Sequence, residues 1–409
     1  MKYVMILPDG CADEPIPAMG GRTALEAARV PNMDAIAQDG IVGFSNNTPQ
    51  NLPAGSDVAT MSVLGYDPQV YYTGRAPLEA AAMGIPIGER DWAIRCNFVT
   101  LEDGVMKSFS AGHISSEEGA ELMQAIQSRL GTESVTFYPG VGYRNIVLWR
   151  DLPQAPAPLG KDLHAFQPHD YSDRSILHVH PYGPGSVEVC RLMSDAHAIL
   201  ADHPVNRKRI ADGKCPATDI WLWGQGILPK LPRFAELYGK TGAMITAVDL
   251  LRGLANVIGW DNICVPTATG LIDTDYAGKA RAAINALADH DIVCVHVEAT
   301  DEAGHEGDIQ TKIEGLRRID QHIVGPLREA LKAYGAYRIL VTPDHPTPVR
   351  IKTHTHNNVP WTLCGTGITP DTAVEYNENV VAQSAVGFPQ GCGLMPFFLI
   401  PNSESEIQN

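Results

Sequence analysis

The chain reads as an α/β protein, a three-layer αβα core on a doubly wound sheet with a smaller α+β unit inserted into it. Three observations predict this. Short apolar runs alternate with helical segments at both ends of the chain; a stretch of different composition separates them; and metal-ligand side chains sit where apolar runs stop. The first run, YVMIL at 3–7, ends at Pro8-Asp9, which makes it a core strand and leaves it too short for a signal peptide. A helix is expected at 32–38, and another beginning near Ser56 in Pro53-Ala54-Gly55-Ser56-Asp57. Residues 152–185 are rich in Pro, Gly, His and Asp, so 88–216 is taken as an inserted cap, leaving 1–87 and 217–409 as a discontinuous core. The alternation returns from Ile220. Apolar residues recur at helical spacing over 242–259 (Met244, Val248, Leu251, Ala255, Ile258). A strand at 263–266, a helix at 278–287 and buried strands at 291–298 and 337–342 come next, and the last residues, SESEIQN, are expected to fray.

Composition narrows the partners. With 31 basic and 47 acidic residues the net charge is −16, which argues against a nucleic-acid or anionic-membrane surface. The longest helical apolar stretch, 242–260, is interrupted by Asp249 and Arg252, so no membrane span is expected. Eight scattered cysteines, with no Cys-x-x-Cys pair, read as reduced thiols of a cytoplasmic protein. If the substrate is a phosphate, metal ions and local arginines must overcome that acidic background field.

The chemistry concentrates at strand ends. Asp301-Glu302-Ala303-Gly304-His305 comes after the strand at 291–298, and Asp344-His345 after that at 337–342, with His354 nine residues on. In open α/β sheets ligands bind at this edge. Mixed Asp and His donors suit borderline divalent ions such as Mn²⁺, Zn²⁺ or Co²⁺ better than Mg²⁺, and two ions are expected. Asp9 places one more carboxylate after a strand, although alone it reads as a turn residue. Ser56, alone, reads as a helix N-cap; beside two metal ions its hydroxyl becomes a competent nucleophile toward phosphorus. Neither a P-loop, nor a dinucleotide fingerprint, nor a Gly-x-Ser-x-Gly elbow is present.

Several segments carry a closer likeness: Asp9-Gly10, Gly21-Arg22-Thr23-Ala24-Leu25-Glu26-Ala27-Ala28, Gly55-Ser56-Asp57, Leu64-Gly65-Tyr66-Asp67-Pro68, Tyr72-Thr73-Gly74-Arg75, 297–305 and Asp344-His345-Pro346-Thr347-Pro348. Through them the chain resembles, over nearly its whole length, the archaeal-type cofactor-independent phosphoglycerate mutases of the alkaline phosphatase superfamily. The resemblance implies an alkaline-phosphatase-like core. It implies one metal ion on Asp301, His305 and His354 and another on Asp9, Ser56, Asp344 and His345, with Ser56 the phosphorylated nucleophile and manganese the foremost metal. The family's His-x-x-x-x-Val-Pro segment implies His354, six residues before Pro360, and His356 is the alternative.

From the cap, Arg75, His113, Arg144, His169, Asp170 and Arg174 are candidates for recognising the substrate, with His113 also a candidate proton shuttle. Where the larger bacterial mutases carry an arginine pair, this chain has Trp223-Gly224-Gln225-Gly226. The departure leaves the acceptor open. Its Ser-Ala-Gly-His, Pro-His-Asp and Trp-Gly-Gln-Gly segments also resemble proteins proposed to be homoserine kinases, so a kinase-like phosphotransferase and a phosphatase are the rival activities.

Overall fold

The computed structural model describes residues 1–399, and the tail expected to fray lies outside them. The chain divides into two compact units, Met1–Tyr72 with Lys230–Asn409, and Thr73–Pro229. The first unit holds strands β1 (Lys2–Pro8) and β2 (Gly40–Ser45). The second holds β3 (Trp92–Glu102), β4 (Val105–Ser108), β5 (Val135–Val141), β6 (Arg144–Trp149) and β7 (Asp219–Ile227). The first resumes with β8 (Gly242–Ile245), β9 (Asp261–Asn262), β10 (Ile292–Val297), β11 (Tyr337–Val341), β12 (Val359–Gly365) and β13 (Gly387–Phe388).

In the first unit the sheet runs β13-β2-β12-β11-β1-β10-β8-β9. Its centre, β11-β1-β10-β8, is parallel, and β12 is the antiparallel member between β11 and β2. Side chains alternate faces along each strand. Val4 and Ile6 therefore pack with apolar residues of helices Pro31–Gln38, Tyr276–Ala286 and Ile309–Ile319, whereas Tyr3 on the other face sets its ring edge against Phe398, 5.4 Å away. Helix Asp249–Ile258, packed on β8 and on helix Ser56–Val63, belongs to that opposite layer. The three layers are the direct result of strands that are apolar on both faces.

The second unit is an antiparallel sheet, β4-β3-β6-β5, with β7 also paired to β3. Helices Ser116–Leu130 and Ser186–Leu200 cover it; Leu122, Met123 and Ile126 of the first, and Val189, Leu192 and Ala196 of the second, enter one core with Ile94, Phe98 and Leu222.

Three expectations need correction. The second unit is wider than 88–216: β7 pairs with β3 from Trp92↔Ile227 to Val99↔Asp219, and Thr73 Oγ1 donates to the Ile227 carbonyl at 2.6 Å. Composition could not reveal this, because β7 is as apolar as any core strand. Residues 242–245, read as the start of a helix, form β8, since a short buried apolar run carries no period of its own. The strand expected at 263–266 is instead the two residues of β9, and Pro266 has no N–H with which to extend a ladder.

Candidate metal and phosphoryl-transfer site

Register brings the site together. β1, β10 and β11 are parallel neighbours with Pro8 opposite Val297 and Ile6 opposite Val341, so the residues just beyond them, Asp9, Asp301, Asp344 and His345, emerge at one edge. β2 runs parallel to β11 and delivers Ser56 to that edge, while antiparallel β12 starts there and so brings in His354. Two groups result, Asp301 with His305 and His354, and Asp9 with Asp344 and His345, each with its ligand atoms within 4.8 Å of one another.

Asp301 and His305 sit four apart on helix Ala299–Glu306 and so share its face, with His305 Nε2 3.1 Å from Asp301 Oδ2. His305 Nδ1 lies 3.1 Å from the Lys352 carbonyl, to which it donates. Its Nε2 then faces His354 Nε2 at only 3.0 Å, an approach of two ring nitrogens that requires a proton or a cation between them. His356 stands elsewhere, its Nδ1 2.9 Å from the Thr48 carbonyl.

The second group is almost wholly buried. One oxygen of each carboxylate is held by the protein. Asp344 Oδ1 accepts from the backbone N–H groups of Gly10 and His345 at 3.2 and 2.9 Å, and Asp9 Oδ2 accepts from His296 Nε2 at 2.9 Å. The other oxygens, Asp9 Oδ1 and Asp344 Oδ2, are buried without a hydrogen-bond partner. Both lie near His345 Nε2, at 3.5 and 3.4 Å. Orphaned carboxylate oxygens converging with an imidazole nitrogen fit a divalent cation, which would take both lone-pair sets at once.

Ser56 is the first residue of helix Ser56–Val63, whose N-cap is Gly55, so its side chain is not spent on capping. Its Oγ lies 3.0 Å from His345 Nε2 and remains partly exposed. A hydroxyl beside the ligand atoms, at a helix N-terminus that favours anions, is placed for phosphoryl chemistry.

Electrostatics point the same way. Burial, reinforced by the carboxylates of Asp344 and Asp301, pushes Asp9 well above the usual carboxylate range. Burial also raises Asp301, but hydrogen bonds from His305 and His354 outweigh it and hold that carboxyl well below the range. Burial pulls His345 down to about 4 against the opposing pull of Asp344, so this imidazole is neutral and its lone pair free. Without a cation, three buried carboxylates repel one another, which favours the neutral form of Asp9.

His296 was not singled out from sequence. It is fully buried near the end of β10, its Nδ1 3.0 Å from Thr246 Oγ1, which already accepts the Val248 N–H at 3.0 Å. Burial pulls His296 down to about 3, so the ring is neutral, and with its Nε2–H donating to Asp9 Oδ2 its Nδ1 accepts from the threonine hydroxyl. Lys279 Nζ holds the His296 carbonyl at 2.9 Å. A lone histidine in an apolar strand carries no spacing signal, and only the pairing of β10 with β1 gives it a role.

Within the second unit, Arg75 Nε donates to Glu79 Oε1 at 2.8 Å, and the buried Arg95, also missed from sequence, lies 3.0 Å from Glu79 Oε2. Burial pushes the Glu79 carboxyl up, but Arg95, Arg75 and, more weakly, Arg144 hold it below its usual range. Arg95 stacks on Trp223, 4.3 Å from the ring, so cations stand beside the Trp-Gly-Gln-Gly segment that itself lacks an arginine. His169 sets its ring edge against Trp223 and Phe109 and lies 3.9 Å from Asp170. His113 is exposed in a left-handed turn, φ 52°, and Arg174 is exposed as well.

Fold and site together define a layered α/β protein with two candidate metal-ligand groups and a serine on loops at the carboxyl ends of a parallel sheet. Comparison with known proteins narrows the class. A family model described as 2,3-bisphosphoglycerate-independent phosphoglycerate mutase matches residues 37–206. A relative of that name from Methanothrix thermoacetophila is 47% identical over 97% of this chain and 98% of its own. One from Geobacter sulfurreducens, called probable, is 46% identical over 98% and 100%. Among solved structures, a Pyrococcus horikoshii protein superposes with a TM-score of 0.81 at 28% identity, covering 97% of this chain and 96% of that one. The cofactor-independent phosphoglycerate mutase of Thermoplasma acidophilum gives 0.65 at 26%, covering 98% and 99%. The chain belongs to the 2,3-bisphosphoglycerate-independent phosphoglycerate mutase family.

Proposed function

We propose that this protein interconverts 3-phosphoglycerate and 2-phosphoglycerate through a phosphoserine at Ser56. The observation that carries the reading is Ser56 Oγ, partly exposed at a helix start and 3.0 Å from His345 Nε2 amid the two ligand groups. Asp301, His305 and His354 would hold one divalent ion, and Asp9, Ser56, Asp344 and His345 the other. Bound there, divalent ions, manganese foremost, lower the pKa of the serine hydroxyl and offset the phosphoryl charge. Ser56 Oγ attacks phosphorus as the bond to O3 breaks; the glycerate turns over; O2 then attacks the phosphoserine and Ser56 Oγ leaves. Carboxylate and hydroxyl recognition falls to the second unit, where Arg75, Arg144, His169, Asp170 and Arg174 are the candidates, Arg95 and Glu79 fix Arg75, and His113 carries protons to and from the glycerate oxygens. The site of action is the cytoplasm.

The phosphoryl group leaves and rejoins the same glycerate, so the purified protein with Mn²⁺ is expected to convert 3-phosphoglycerate to 2-phosphoglycerate with no ATP. A parallel assay with homoserine and ATP gives no phosphohomoserine on this reading. Product in the second assay and none in the first would reverse the assignment.

His305 makes metal uptake pH-dependent. Burial lowers its pKa, but the hydrogen bond and charge of Asp301 and the Lys352 carbonyl raise it further, from 6.5 to about 9. In the metal-free protein the raised value stabilises the fold fully below pH 6.5 and ceases to do so as pH rises through about 9. An ion taken up by this group must displace that proton. Titration of metal-free protein with Mn²⁺ at pH 7.5, in buffers of differing ionisation enthalpy, is expected to register net proton release. Binding heats that do not depend on the buffer would contradict it.

A further inference from the structure

We propose that Thr347 is a positioning residue which, through one hydroxyl, orients a ligand in each of the two groups and so couples them. The inference rests on the metal reading of those groups. Thr347 Oγ1 donates to Asp301 Oδ1 and lies 3.2 Å from His345 Nδ1. A hydroxyl has one proton to give. Because the Asp301 carboxylate can only accept, that proton is committed to it, and the imidazole Nδ1–H must donate to the hydroxyl oxygen.

Each group is affected in its own way. His345 is fixed as the Nδ1–H tautomer, so its Nε2 lone pair points toward Ser56 Oγ, Asp9 Oδ1 and Asp344 Oδ2, at 3.0, 3.5 and 3.4 Å. Asp301 is pinned by Oδ1, so Oδ2 is the oxygen presented to His305 Nε2 at 3.1 Å. Thr347 thus holds His345 by the nitrogen turned away from the other ligands, and holds Asp301 by Oδ1, which lies 3.6 Å from His354 Nε2, so that the rotation of both side chains is fixed. Metal-ligating histidines are commonly oriented in this way through their second nitrogen; here one side chain serves a histidine of one group and a carboxylate of the other.

The surroundings hold Thr347 to this task. The residue is fully buried. Its N–H donates to the Gly10 and Ala12 carbonyls at 3.2 and 3.3 Å, and its carbonyl accepts from Lys312 Nζ at 2.7 Å. That buried lysine is anchored in turn on Asp13 Oδ2 at 2.9 Å. Gly10, at φ 59°, has no room for a side chain, because a Cβ there would overlap both Asp301 Oδ1 and Thr347 Oγ1. At Gly304 a Cβ would come within 2.8 Å of Thr347 Cγ2. Two glycines thus leave room for the one threonine.

The test is Mn²⁺ binding to metal-free protein, followed by electron paramagnetic resonance of free Mn²⁺ and by calorimetry, for wild type, Thr347→Val, Thr347→Ala and Thr347→Ser. Wild type is expected to bind two ions. Valine and alanine, lacking the hydroxyl, are expected to weaken both sites by about 10- to 100-fold, while serine, which keeps it, stays within about three-fold of wild type. Thermal melts of the metal-free variants separate binding from folding, and if valine prevents folding the alanine–serine pair gives the same comparison. Two sites of wild-type affinity in the alanine variant, weakening confined to one site, or a serine variant as weak as alanine would each overturn the role of Thr347 while leaving the metal reading in place. A wild type that binds no Mn²⁺ would overturn the metal reading itself.

Discussion

Ser56→Ala is expected to lower turnover by at least about 10⁴-fold while leaving the fold and the metal content intact, because the lost atom is the one that forms a bond to phosphorus. The geometry makes this variant a clean one. Ser56 is the first residue of its helix and Gly55 its N-cap, so no capping bond is removed, and alanine is the best helix former. Stability should therefore stay within about 0.5 kcal/mol of wild type. Mass spectrometry of the wild-type protein quenched during turnover should find a phosphoryl group on Ser56. A variant that keeps more than a small fraction of the rate, or a quenched wild type without phosphoserine, would rule out the covalent route.

Removal of divalent ions should have an effect of similar size. Exhaustive chelation is expected to reduce the rate on the order of 10³-fold or more, since several kcal/mol of transition-state charge stabilisation are lost with the ions. Mn²⁺ or Co²⁺ should restore activity better than Mg²⁺, because His305, His345 and His354 supply three imidazole nitrogens and Mg²⁺ is held mainly by oxygen. The metal-free state is also strained electrostatically. Asp9 Oδ1 and Asp344 Oδ2 are left buried and unpartnered, and burial with the carboxylates of Asp344 and Asp301 pushes the Asp9 carboxyl well above its usual range. Chelated protein should consequently melt at a lower temperature than protein with Mn²⁺, and full activity after rigorous chelation would remove the basis of the two-ion reading.

Much of this site was legible in the chain because its residues are local signals. Asp301 and His305 are spaced one helical turn apart, Asp344-His345 comes directly after an apolar strand, and Gly55-Ser56 opens a helix. A residue just past the end of a strand in an α/β chain is placed at a sheet edge by the chain's own direction, so the type and location of these residues could be read without coordinates. His354 was separable from His356 only by likeness to a family, and the coordinates separate them by geometry, with one facing His305 and the other bonded to Thr48.

The parts that were not legible all depend on partners distant in sequence. β7 looked like a core strand until its ladder with β3 placed it in the second unit, and 242–245 looked helical until β10 paired with it. Apolar runs state only that they will be buried; which sheet buries them is decided by long-range pairing. His296, Thr347 and Arg95 carry no spacing signal, and each gains its meaning from contact with Asp9, with Asp301 and His345, or with Glu79. Periodicity and side chains adjacent along the chain are enough to read the α/β class, the ligand types and the nucleophile candidate. Which oxygen or nitrogen of each buried ligand is held and which is left open depends on hydrogen bonds between segments far apart in sequence, and no local pattern encodes those.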